Sequence, residues 1–171
     1  NYGDGVKGSA GSASLSVAAK SQLNSDLSIG LKSIFVQNIY EEGKNDAAYW
    51  LSNDTSTSLS EAYLKYTAAL PGTESTTFLV GRKEDSYIFY PAYNVRHQPQ
   101  ALEGVFAKSS VNEHLSFDFG HIERFSSWPS RENGASSLDT SFKKIGERIG
   151  HREIRSGVQF ASIDWSSNNT T

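Results

Sequence analysis

Leu115–Phe125 reads L-S-F-D-F-G-H-I-E-R-F, and Leu59–Leu70 reads L-S-E-A-Y-L-K-Y-T-A-A-L. In the first stretch Leu115, Phe117 and Phe119 alternate with Ser116, Asp118 and Gly120. In the second, Ala62, Leu64, Tyr66 and Ala68 alternate with Glu61, Tyr63, Lys65 and Thr67. Strict alternation puts successive side chains on opposite faces of a sheet. Strands of about ten residues, apolar on one face and charged on the other, are the signature of a transmembrane β-barrel. A half-buried soluble sheet alternates in the same way, so the choice falls to the rest of the chain.

Working outward, the same period predicts seven strands: Ser12–Lys20, Asp26–Asn38, Leu59–Leu70, Thr76–Lys83, Leu102–Ser110, Leu115–Phe125 and Gly157–Trp165. Ser12–Lys20 carries Leu15 and Val17 on one face, and Asp26–Asn38 carries Leu27, Ile29 and Leu31. The period slips near Ile34-Phe35-Val36, which predicts a bulge or the end of pairing there. Short turns are expected at Gln22-Leu23-Asn24-Ser25, at Pro71-Gly72-Thr73-Glu74 and at Val111-Asn112-Glu113-His114. Long connections are expected at about 40–58, 84–100 and 126–156. The last holds Leu138, Phe142, Ile145 and Ile149 at helical spacing, with Ser137 or Asp139 as cap. A soluble sandwich rarely needs loops this long, whereas barrels alternate short turns with long loops. The expected fold is therefore all-β, an antiparallel transmembrane β-barrel. The chain, 1–171, forms one segment of it. Seven is an odd number, and bacterial single-chain barrels are even, so the segment reads as roughly seven strands of a larger barrel.

Composition narrows the function classes. The chain has no Cys and no Met in 171 residues. Without Met it reads as a processed or internal stretch. Without Cys it has no disulfide, thiolate nucleophile or Cys-based metal site. Net charge is −3, which argues against nucleic acid as a partner. No apolar run approaches the length of a membrane helix, and no signal peptide is expected. His97, His114, His121 and His151 lack metal-ligand spacing. There is no nucleophile elbow, phosphate loop or paired carboxylate, and Asp118 and Glu123 fall on opposite faces of one strand. Neither an enzyme nor a cofactor is expected.

Several blocks carry a family likeness. Glu61-Ala62-Tyr63-Leu64-Lys65-Tyr66 is followed, after a short turn, by Thr77-Phe78-Leu79-Val80-Gly81-Arg82-Lys83. Arg96 and Pro99 then precede Leu102-Glu103-Gly104-Val105, and Gly120-His121-Ile122 follows. With Tyr2-Gly3-Asp4-Gly5-Val6-Lys7-Gly8 near the start, this order resembles the OprD-like specific, nutrient-uptake porins of Gram-negative outer membranes. Lys83 stands where that family has Gln, and Leu102 where it has Phe. The family's members are about twice this length or more. The resemblance implies a bacterial outer-membrane channel with one pore per monomer, commonly a homotrimer. It also implies inward-folded loops that form a constriction and basic residues on the wall. The alternative from composition and alternation is a secreted β-sandwich or adhesin-like binding domain.

A constriction selects by charge and by hydrogen-bonding groups, and a guanidinium offers a fork that matches a carboxylate. Arg82 and Arg96 are therefore the leading pore-lining candidates. Arg82 could instead pair with Glu84 or Asp85 at a strand end. Lys65 and Glu61 are expected to face the lumen, because Leu64 and Tyr66 need the lipid. Tyr93 is expected in the constriction, within an aromatic-rich loop that could otherwise pack on the wall. Expected partners are outer-membrane lipid, small anionic or hydrophilic solutes, and lipopolysaccharide at the Lys143–Arg155 cluster. A solvated loop helix is the simpler reading of that cluster.

Overall fold

The structure is a computed structural model and describes residues 9–42, 56–84, 100–126, 141–148 and 156–166. Among these residues the chain is all-β, one antiparallel sheet of eight strands. The strands are β1 (Ser9–Gln22), β2 (Leu27–Glu42), β3 (Ser56–Ala68), β4 (Ser75–Lys83), β5 (Ala101–Asn112), β6 (Leu115–Ser126), β7 (Lys143–Lys144) and β8 (Val158–Trp165). A single helical turn, α1 (Ile145–Arg148), follows β7. Each of β1 to β6 pairs with the next in sequence, and the free edge of β6 is shared by β7 and β8. Among the described residues β1 and β8 do not pair, so the sheet is open.

The short turns follow from their residues. Asn24 Oδ1 accepts from the amides of Asp26 and Leu27 at 2.9 and 2.8 Å, closing the β1–β2 turn. Gly72, with φ of 83°, makes the β3–β4 turn, and Thr73 bonds back to Leu70. A residue with a Cβ is disfavoured at that φ. Asn112 Oδ1 accepts from the His114 amide and closes the β5–β6 turn.

All seven expected strands are present, and three details differ. β2 pairs with β1 through Ile34-Phe35-Val36 and on to Glu42, whereas its described pairing with β3 shifts register beside Ser33 and ends at Val36. Ile34 and Val36 are buried on one face while Phe35 is exposed on the other. The run breaks the polar pattern because both faces are apolar there. The bulges fall at Ile39, opposite Gly11 and Ser12, and at Ser60, whose hydroxyl donates to the Lys32 carbonyl. The second difference is length: β2 and β3 extend into the expected 40–58 connection. The third lies at the helical stripe. Lys143 and Lys144 pair with Phe125 and Arg124 on the exposed edge of β6, and the helix begins only at Ile145. An unpaired strand edge captured residues that the apolar spacing alone assigned to a helix. Leu138, Ile149, Ser137 and Asp139 lie outside the described residues.

Register sorts the side chains into two faces. Paired residues share a face. Leu15 pairs with Phe35, Leu31 with Ala62, Leu64 with Val80, Val80 with Val105, and Phe119 with Ala161. Leu15, Val17, Leu27, Ile29, Leu31, Leu64, Tyr66, Phe117, Phe119 and Ile163 all lie on this face. Eight of the ten are exposed, and Leu27 and Phe117 are half-buried. Of the aromatics near strand ends, Tyr66 and Trp165 lie on this face at its short-turn end. Phe125 does not; it lies at the other end, packed on the opposite face.

Candidate functional site

The opposite face carries the polar residues. From the short-turn end, one row is Ser75, Ser110, Ser116 and Asp164, and the next is Thr67, Thr77, Lys108, Asp118 and Ser162. Thr67 and Thr77 hydroxyls lie 3.1 Å apart, and Lys108 Nζ is 3.7 Å from Asp118 Oδ2. These cross-strand partners exist because antiparallel pairing sets same-face residues opposite one another.

Midway along the strands this face turns apolar. Leu79, Phe106 and Ile122 are buried together with Leu102, and Tyr63, Phe125 and Phe160 pack against them. The Phe106 and Phe160 rings lie 6.4 Å apart, tilted by 41°. Gly120 makes room for this: a Cβ there would meet the Phe160 ring at 2.5 Å. At Gly30 the Tyr63 ring from the neighbouring strand takes the same space. A ring laid over a glycine on the next strand pins the register.

A charged group lies on this face where β2 and β3 meet the end of β4. Lys32 pairs across the strands with Glu61, and its ammonium bonds Glu84 Oε2 at 2.6 Å. Glu61 is buried beside Ser58 and Ser60. Glu84 Oε1 is buried with no hydrogen-bond partner among the described residues. Lys65 sits further toward the short turns, opposite Leu79, and is half-buried.

The expected site residues therefore divide. Glu61 and Lys65 share the polar face. Arg82 does not join them: its row is Ala62, Arg82, Glu103 and Arg124, on the face of Val80 and Val105. It bonds Glu103, not Glu84, and its guanidinium lies 4.1 Å over the Phe142 ring. Arg82 was singled out by residue type and position near a strand end. Its parity with Phe78 and Val80 was the signal that separates it from Lys65. Tyr93 and Arg96 lie outside the described residues. Lys32 was missed, although Leu31 and Ile29 on the apolar face already implied its orientation. Among the described residues no group of three or more His, Asp or Glu is placed to hold a metal ion.

No family model, curated protein or solved structure matches the chain.

Proposed function

We propose that the chain is a segment of an OprD-like outer-membrane porin, a water-filled channel for passive diffusion of ions and small hydrophilic nutrients. One observation carries the reading. In the described sheet, the exposed face is apolar along most of β1 to β6 and β8, up to the row of Arg82, Glu103 and Arg124, while the rows of Lys32, Glu61, Lys65, Thr67, Thr77, Lys108 and Asp118 take the other face. In water that exposure is unfavourable by about 25 cal/mol per Å² of apolar surface. In hydrocarbon it is the favoured side. Lipid tolerates strands only when every backbone group is paired, so on this reading the outer edges of β1 and β8 meet further strands of the barrel. Most of the strands reach the nine to eleven residues a tilted crossing needs. The channel has no enzymatic activity and sits in the bacterial outer membrane.

The absence of Cys makes a clean test available. Single replacements Val105→Cys and Phe119→Cys, on the apolar face, are compared with Lys108→Cys and Ser116→Cys on the other. In the full-length protein in vesicles, the first pair reacts with a membrane-soluble thiol reagent and the second with a water-soluble one. Planar bilayers should also show ohmic conductance. A chain that stays monodisperse without detergent, with all four sites reacting alike from water, overturns the porin reading and favours the secreted β-sandwich.

A further inference from the structure

The outer edge of β6 is occupied twice. β8 pairs with it from Leu115 to Ile122, and β7 pairs with it at Arg124 and Phe125. Both run antiparallel to β6, so they form one edge strand in two pieces, broken opposite Glu123. The chain leaves this edge after Lys144, turns through α1, and returns at Val158. The two registers overlap. β8 sets Val158 opposite Ile122. Continued without a shift, that register sets Gly157 opposite Glu123 and Ser156 opposite Arg124. Arg124 already faces Lys144. One stretch of edge thus suits two segments of the chain and holds one.

The step between the two arrangements is short. Gly157 already lies against β6: a Cβ there would overlap the Ile122 carbonyl oxygen and meet the His121 ring at 2.7 Å. Ser156, next to it, is exposed and outside the ladder. β7 is held by little backbone, only two residue pairs. Two side-chain contacts add to these. The Lys144 ammonium lies 3.1 Å from Glu123, the bulged residue of β6, and the Phe142 ring lies 4.1 Å from the Arg82 guanidinium. The other carboxylate oxygen of Glu123 is 3.3 Å from His121 Nε2, beside Gly157. Glu123 therefore touches the groups on both sides of the break. Short edge pairings of this kind open locally at low cost.

We infer that Ser156–Gly157 and Lys143–Lys144 exchange on this edge, β8 lengthening past Glu123 as β7 lets go. In the arrangement seen here the connection between Ser126 and Val158 is pinned partway, at Lys143 and Lys144. In the other it is one uninterrupted span anchored at its ends, and Phe142 leaves Arg82. An unpaired strand edge accepts any chain that presents its backbone in register, so the exchange replaces one short ladder by another. The balance then falls to the side chains, and the Glu123–Lys144 and Phe142–Arg82 contacts favour β7. A state favoured by so few contacts is open to a population shift. The device sets how much of the connection is free to move, and it stands whichever solvent the apolar face meets.

The test uses the full-length protein in phosphatidylcholine vesicles, or in buffer if it proves soluble, so its outcome is separate from that of the membrane reading. The chain has no Cys to interfere. Arg124→Cys/Ser156→Cys reports the lengthened β8, because directly opposed antiparallel residues meet disulfide geometry. Arg124→Cys/Lys144→Cys reports β7. Under mild oxidation both variants should link. Closing the first link should release β7, read as faster amide hydrogen exchange in the peptide that holds Lys143 and Lys144. Adding Lys144→Gln to the first variant should speed its linking about two- to fivefold. Phe142→Leu, which removes the ring over Arg82, should act in the same direction, as should raising salt from about 0.1 to about 1 M. Glu113→Gln, in the β5–β6 turn, should leave the rate unchanged. A link that closes without releasing β7, or at a rate indifferent to Lys144→Gln, Phe142→Leu and salt alike, means that Ser156 merely lies nearby and overturns the exchange. Absence of that link while the second variant links overturns it too. Failure of the second variant to link removes the β7 pairing on which the inference stands.

Discussion

Val105 and Phe106 are neighbours on β5 and live in opposite surroundings. Val105 is 53% exposed among Val80, His121 and Phe78; Phe106 is 6% exposed, clamped between Leu79 and Phe160. The same contrast runs along the sheet. One face is apolar and exposed along most of its length. The other is buried at its middle and hydroxyl-rich and charged toward its ends. A soluble sheet shows the reverse, polar residues outward and apolar ones covered. What the difference teaches is that the solvent of each face, rather than the strand propensity, explains which residues the chain uses there. Two environments separated by one backbone also make strong, separable predictions.

The largest effect is expected at the buried middle. Phe106→Ala removes a ring held between Leu79, Ile122 and Phe160. It should cost about 3–5 kcal/mol, read as a lower urea midpoint for the protein folded in vesicles. A cost below about 1 kcal/mol would mean that this face is not a packed core.

Next comes the apolar face. Val105→Arg places a charge in the middle of the exposed band and should cost about 2–4 kcal/mol in a bilayer. In water, an exposed Val replaced by Arg changes little. The same substitution measured in lipid and in detergent-free buffer therefore sharpens the comparison. A neutral outcome in lipid would break it.

Gly120→Ala tests the glycine–ring contact. The added Cβ would lie 2.5 Å from the Phe160 ring, with Phe106 at 3.0 Å. Ring displacement should cost about 1–3 kcal/mol. Shortening the ring partner in the double variant Gly120→Ala/Phe160→Leu should recover part of it, a coupling that a double-mutant cycle reads. Purely additive losses would mean that the two do not share that space.

The smallest effect on stability and the clearest on function is expected at Lys65. Lys65→Glu reverses a charge on the polar face and should leave the unfolding midpoint within about 0.5 kcal/mol. It should move the reversal potential across a salt gradient toward cation preference, because lumen residues tune selectivity. Val80→Glu, on the other face, should destabilise and leave ion preference as it was. The opposite allotment of the two effects would exchange the roles of the faces.

Much of this was legible in the residues. Period-two alternation located all seven long strands, and Asn24, Gly72 and Asn112 announced the turns, because these signals are local to a few adjacent residues. The side of Glu61 and Lys65 could be read from Leu64 and Tyr66 for the same reason. The grouping of Arg82 with them could not stand. Which residues share a row depends on pairing between β3, β4, β5 and β6, and a single strand carries no record of its partner's register.

What the sequence by itself determined, then, is the alternation: which residues share a side of each strand, and where each strand turns back. Local sterics and turn chemistry suffice for that. Only the tertiary structure decided the bulges at Ser60 and Glu123, the burial of Phe106 beneath Phe160, the capture of Lys143 and Lys144 by the edge of β6, and the charged row above the apolar band. Each of these joins residues distant along the chain. Their energies come from hydrogen bonds, ring contacts and charge pairs that exist only once the strands lie side by side.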